Sequence, residues 1–251
     1  DANPAIEGVR VLERCWHDRK LKRGAHRGNR FAIVLRDIAG DVSAVENILA
    51  RIAVDGVPNA FGEQRFGRDA GNVDEARRWL SSERLPRLPR DRRGLLLSTA
   101  RAHMFNAVLA ERVRRGNWNR PLAGDCFQLD GRGSWFGPEA VIKSELAARV
   151  ERGEIHPTGP LRGAGEPPTT NQVQALEMAV AAAEPALCVG LARFGLKQER
   201  RPLRLLPHHL SWQWQSSERS VLRLSFELPR GTFATAVLAA FCAVHDASRV
   251  R

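Results

Sequence analysis

Apolar positions alternate with polar ones near both ends of the chain and recur at helical spacing between them. Val9, Val11 and Leu12 read as a strand, and Phe31–Leu35 as a second. Ser43 with Glu46 forms a capping-box pattern, and Val45, Ile48, Leu49 and Ile52 then repeat at helical spacing up to Gly56. A Gly-rich loop is expected over Gly56–Gly71, with neither helix nor strand, followed by a helix capped by Asn72 and Glu75 and running through Leu80. Pro86 and Pro89 mark an exposed basic connection. Leu95–Val113 reads as a long amphipathic helix with Leu97, Phe105, Val108 and Leu109 inward. Gly124–Phe136 reads as short strands and turns, and Pro138 as the first turn of a helix to Arg152. A Gly/Pro-rich loop over Gly159–Thr170 then leads to an Ala-rich helix capped by Asn171. Strand alternation returns at His209–Gln215 and Val221–Leu228, where Leu222, Leu224, Phe226 and Leu228 share a face. A turn at Pro229–Gly231 and a helix over Ala234–Val244 follow. Strands at both ends around a helical middle give an α+β class.

Composition narrows the partners. The 251 residues are 43% hydrophobic and 27% charged, enough for one large domain or two modest ones. No window approaches the roughly 18 apolar residues of a membrane span, and the first residues lack the pattern of a signal peptide. A cytoplasmic, non-membrane protein is expected. The chain starts at Asp1 without an initiator Met, which reads as a fragment or processed product. The net charge is +11 with a pI near 10.9, nearly all from arginine, since the lysines are Lys20, Lys22, Lys143 and Lys197. Arginine forks onto phosphate and stacks on bases, so a polyanionic partner is expected. A codon bias toward Arg accounts for arginine over lysine, but not for the excess over Asp and Glu. Cys15, Cys126, Cys188 and Cys242 are widely spaced, without CxxC, and read as reduced, mostly buried thiols rather than zinc ligands.

Four segments carry candidate chemistry. Lys20–Phe31 is a Gly-punctuated basic loop in which Lys20, Lys22, Arg23, His26, Arg27 and Arg30 could hold RNA phosphates. Asn29 offers a donor and an acceptor, and Phe31 a stacking face. A solvated basic hairpin with Phe31 in the core is an equal alternative. Gly56–Gly67 reads as a hinge with Phe61 and Phe66 as packing anchors. Gly131–Phe136 is either a stacking platform or a turn with a buried Trp135. Trp212 and Trp214 share parity as core residues, and Phe233 follows a Gly turn where it could project into a cleft. No GxSxG or HExxH pattern is present, and His103 and Asp125 have no identifiable partner.

These segments, in this order, resemble the TruD family of tRNA pseudouridine synthases. The matching stretches are KLKRGAHRGNRFAIVLRDI, GVPNAFGEQRFG, LSTARAHMFNAVLAERV, GDCFQLDGRGSWF, LPHHLSWQW and LPRGTFATAVL. The resemblance implies isomerisation of a uridine, typically at tRNA position 13, by an aspartate nucleophile with no metal or organic cofactor. It implies substrate contacts at Asn29 and Phe233, with Phe31 beside them, facing a basic cleft. It also implies a synthase domain of residues 1–56 and 207–251 interrupted by a TRUD insertion domain of residues 57–206. The expected state is a monomer acting on tRNA. The family's nucleophile lies in a Gly-x-Lys-Asp segment upstream of the GNxF motif, and no Lys-Asp dipeptide occurs here. Asp18 lies too close to the motif to replace it. The expectation is therefore that the catalytic aspartate, and an aromatic substrate contact near the family's N-terminus, lie outside this chain, which alone makes no pseudouridine. The alternatives are a non-catalytic RNA-binding protein derived from the same fold, and a basic structural or ribosome-associated protein.

Overall fold

A computed structural model describes residues 8, 10, 13–20, 25–215 and 220–243. The strand expected at Val9, Val11 and Leu12 lies outside the described residues. The architecture is α+β with antiparallel sheets.

The first layer is a three-stranded sheet. β1 (Gly28–Leu35) and β8 (His208–Trp214) flank β9 (Leu222–Pro229), all antiparallel. Alternation in β9 turns Leu222, Leu224, Phe226 and Leu228 to one buried face. Two helices, α1 (Val42–Asp55) and α8 (Ala234–Ala239), bring Leu49, Ile52, Val237 and Leu238 into the same core, with Trp212 and Trp214 at its margin. Asp41 accepts a hydrogen bond from the Ser43 amide at 3.0 Å and is the true N-cap of α1, so the expected Ser43–Glu46 capping box is corrected. Gly56 ends the helix at φ 72°, and a Cβ there would lie 2.5 Å from the Leu205 carbonyl oxygen.

That close approach is where the chain leaves the layer. β2 (Val57–Pro58) pairs antiparallel with β7 (Arg204–Leu205), so the outgoing and returning strands are neighbours. Between them lie α2 (Glu63–Phe66), α3 (Gly71–Ser81), the long α4 (Arg90–Arg114), α5 (Ser144–Glu151), α6 (Asn171–Ala183) and α7 (Pro185–Arg193). They surround a second sheet ordered β4-β3-β5-β6, formed by Trp135–Phe136, Phe127–Leu129, Ile155–Leu161 and Glu199–Pro202. Phe105, Val108 and Leu109 of α4 are buried, and Leu97 packs against the neighbouring core of α3 and α7.

Several local expectations are overturned here. The Gly56–Gly71 segment contains β2, α2 and a 3-10 turn, because its backbone amides are satisfied by pairing with the returning strand and by one helical turn. Asn72 does not cap α3; its side-chain amide donates to the Arg65 carbonyl at 3.3 Å. Pro138 lies before the helix, which begins only at Ser144. Gly159 lies inside β5 rather than in a loop. Asn171 starts α6, but Thr170 is at its N-cap, without a side-chain cap bond. Trp135 is exposed, and of the free cysteines only Cys126 is buried while Cys15 is exposed. Asp125 and His103 do have partners: Asp125 forms a buried bidentate pair with Arg112, and His103 Nε2 lies 2.8 Å from Glu184.

Candidate nucleic-acid interface

The open end of the first sheet carries Asn29. It is exposed on β1, opposite Leu228, and shares strand parity with Phe31, Ile33 and Leu35. Phe31 is half-buried, its ring stacked 5.4 Å from Phe226, so that face is used for packing. Just beyond Pro229 the chain reverses: the Arg230 amide donates to the Arg27 carbonyl at 3.2 Å, and Thr232 Oγ1 donates to the Pro229 carbonyl at 2.7 Å. This turn delivers Phe233 to the N-cap of α8, half-buried, with its ring 6.1 Å from that of Phe61. One backbone turn thus links the strand end bearing Asn29 to the helix start bearing Phe233.

Phe61 belongs to the second body of elements and is held on three sides. The side chain of Asn106 accepts from its amide at 3.0 Å and donates to its carbonyl at 2.8 Å. The Phe105 ring meets it edge-on at 5.6 Å. The Arg201 guanidinium lies over it at 4.2 Å, with Arg65 at 5.7 Å. Arg201 donates to the Gly231 carbonyl at 2.9 Å and to Asn59 Oδ1 at 2.6 Å. Among the described residues no carboxylate pairs with Arg201, and burial lowers its pKa to about 10.

Two adjoining cavities open along this line. One of about 510 Å³ is lined by Arg27, Asn29, Arg30, His208 and Glu227. The other, of about 190 Å³, is lined by Asn59, Asp130, Arg132, His156, Arg201 and Thr232 among others, and both are bordered by Gly131 and Pro229. Basic side chains outnumber carboxylates in both walls. Of the basic loop, Lys20, His26, Arg27 and Arg30 are exposed, and the Arg30 fork closes on Glu227 at 2.7 and 2.9 Å. Lys22 and Arg23 lie outside the described residues.

The family model for tRNA pseudouridine synthase D (TruD) matches residues 2–80 and 77–241. A tRNA pseudouridine synthase D of Xanthomonas campestris is 47% identical over 257 residues, covering 97% of this chain and 69% of its own length. One from Pseudomonas aeruginosa is 44% identical over 238 residues, covering 93% of this chain and 65% of its own. The chain belongs to the tRNA pseudouridine synthase D family. A crystal structure from Methanosarcina mazei, described as tRNA pseudouridine synthase D, shares the fold at a TM-score of 0.59 and 19% identity, covering 87% of this chain and 69% of that one.

In this member of the family, a carboxylate between two imidazoles ties the sheets together beside the cavities. Asp130 accepts from His156 Nε2 at 2.8 Å and from His208 Nε2 at 2.9 Å. A β-bulge between His208 and Ser211, with His209 at φ 54°, re-aims His208 toward it. The two hydrogen bonds hold Asp130 well below the usual carboxylate range despite its burial, and Asp130 in turn raises the pKa of His208. Nearby, Arg204 donates to the carbonyls of Val54 and Asp55 at the end of α1 and to that of Val150 in α5. The sequence reading missed Phe61 as a neighbour of Phe233, and Asp130, His156, Arg201 and Arg204 altogether. The Arg200–Arg201 doublet on an alternating strand was the available signal: Arg200 is buried against Glu177, while Arg201 reaches the Gly231 turn.

Proposed function

We propose that this cleft captures tRNA and presents a uridine between Asn29 and Phe233 for isomerisation to pseudouridine. The observation that carries the reading is the Pro229–Phe233 turn, which joins the Asn29 strand end to an aromatic N-cap above Arg201 and Phe61. A base drawn out of a structured RNA needs a stacking face and edge-directed hydrogen bonds, which Phe233 and Asn29 supply. The reaction breaks the C1′–N1 bond and forms a C1′–C5 bond; the C5 proton then leaves and N1 takes one up, so substrate and product are isomers. Lys20, Lys22, Arg23, His26, Arg27 and Arg30 serve as the phosphate-facing flank in this reading. Because Arg30 is closed on Glu227, it contributes after exchanging that partner for phosphate. Phe31 supports the site from the core side, through Phe226.

In the same reading, residues 57–206 are an insertion within a synthase domain of residues 1–56 and 207–251, an arrangement that the pairing of β2 with β7 supports. The protein works as a cytoplasmic monomer; among the described residues no single helix is long and apolar enough to cross a membrane. The cavity-lining carboxylates are Asp130, shared by two histidines, and Glu227, paired with Arg30. Neither is offered as the nucleophile, and residues 1–251 are expected not to turn over alone. The test is pseudouridine formation on an unmodified tRNA transcript, by this chain and by the reading frame extended upstream. Activity in the extended protein that is lost when its Lys-Asp aspartate becomes Asn supports the reading. Turnover by residues 1–251 alone overturns the assignment of the nucleophile. Binding of the same transcript should weaken linearly on a log–log salt plot; salt-independent binding removes the basic flank from the account.

A further inference from the structure

We propose that Arg201 is a positioning residue, which sets the Phe233 ring for base stacking by gripping the Gly231 turn and the Phe61 ring at once. The inference rests on the reading of Phe233 as the stacking face.

Arg201 lies on β6, in the segment between β2 and β7, yet its contacts converge on Phe233 from two directions. Along the backbone, its Nη1 holds the Gly231 carbonyl at 2.9 Å, two residues before Phe233. Through the ring, its guanidinium covers Phe61 at 4.2 Å, and Phe61 meets Phe233 at 6.1 Å. Its Nη2 is fixed by Asn59 Oδ1 at 2.6 Å, and Asn59 is itself buried, with its side-chain amide donating to the Pro202 carbonyl at 2.9 Å. The planar fork is therefore oriented before any ligand arrives.

Arg204 has its donors taken up by three backbone carbonyls, and two other buried arginines each have a carboxylate. Arg112 has Asp125, and Arg200 has Glu177. Arg201 has no carboxylate among the described residues, its Nε is buried without a partner, and the charge of Arg65, of the same sign, acts on it. A half-buried cation with no matching carboxylate is held at some cost in stability, and such costs concentrate where geometry serves function. The geometry here aims one ring. Gly231 has φ 78°, and the Arg201 contact to its carbonyl adds to the Arg230–Arg27 and Thr232–Pro229 hydrogen bonds that shape the turn.

The test compares binding of two tRNA transcripts, identical except that one has an abasic nucleotide at the target position. The chain should prefer the uridine transcript by about tenfold, from base stacking. Phe233→Ala should bring that preference close to unity. Arg201→Lys keeps the charge but loses the fork, and should do the same, read as the ratio of the two affinities and not as either affinity alone. The double variant should lose no more than either single one. Arg201→Met, which removes the half-buried charge, should weaken binding of both transcripts and bring the ratio of their affinities close to unity, as Arg201→Lys does. Retention of the preference in both Arg201 variants, with Phe233→Ala losing it, overturns this inference and leaves the reading of the site intact. So does additivity of Arg201→Lys with Phe233→Ala. A preference unaffected by Phe233→Ala overturns the stacking role of Phe233, and the role of Arg201 with it.

Discussion

In the β1-β9-β8 layer, burial is achieved by apolar side chains alone: Leu222, Leu224, Phe226 and Leu228 meet Leu49, Ile52 and Val237 with no buried charge among them. In residues 57–206, arginines are carried deep inside, Arg112 against Asp125 and Arg200 against Glu177, both pairs essentially without solvent exposure. The layer is thus a conventional two-sided packing problem, tolerant of small apolar changes. The other region depends on charge matching, where removal of one partner strands the other in a medium that cannot solvate it. Arg201 and Arg204 carry that second style across the boundary, reaching the Gly231 turn and the end of α1. The proposed substrate contacts, Asn29 and Phe233, thus lie where an apolar layer meets an arginine-rich one: the first supplies fixed strand and helix ends with exposed basic residues beside them, the second adds Arg201.

The sharpest way to break this contrast is Glu177→Ala, which leaves Arg200 buried and unpaired. It should destabilise the protein by about 3–5 kcal/mol, measured by urea unfolding. Replacing both partners, Glu177→Leu with Arg200→Met, should recover most of the loss. If the single variant is near neutral, charge matching does not hold this region. In the apolar layer, Phe226→Leu should cost only about 1 kcal/mol in the same measurement, since it keeps an apolar side chain of similar reach. A loss as large as that of Glu177→Ala would erase the distinction between the two regions.

The smallest effect is expected at the Asp130 bridge. His208 has a raised pKa, so its contribution is complete below its unfolded value of about 6.5 and is lost as pH rises through the folded value. Asp130 has a depressed pKa, so its contribution is complete above about 3.9 and is lost as pH falls through the folded value. The bridge is therefore strongest between those limits. Because the His208 side chain is 42% exposed, its share is under about 1 kcal/mol after solvent screening. His156, Arg204 and Glu227 also face this pair, and Asp130→Asn removes the carboxylate at its centre. Thermal stability should decline gently above neutral pH in the parent, and this decline should shrink in Asp130→Asn. An unchanged decline would assign it to other groups.

The layer was largely legible in the sequence. Alternation in Val221–Leu228 named the four buried residues of β9, and the spacing of Val45, Ile48, Leu49 and Ile52 named the inward face of α1. Those signals are local and periodic. Residues 57–206 were less legible because their decisive partners are distant in sequence: Arg200 finds Glu177, Asp130 finds His208, and Val57 pairs with Leu205. A two-residue strand such as β2 has no period to read, and Pro138 offered a helix start that the fold does not use. At the site, Asn29 and Phe233 came from motif resemblance, whereas Phe61 and Arg201 emerged only once the elements were packed.

The most direct test of the account is the rate of pseudouridine formation at limiting tRNA by the full-length protein carrying Phe233→Ala. Loss of a stacking contact worth about 1–3 kcal/mol predicts a fall in kcat/KM of roughly 5- to 150-fold, with the fold intact by circular dichroism. An unchanged kcat/KM would contradict the assignment of this cleft as the uridine site.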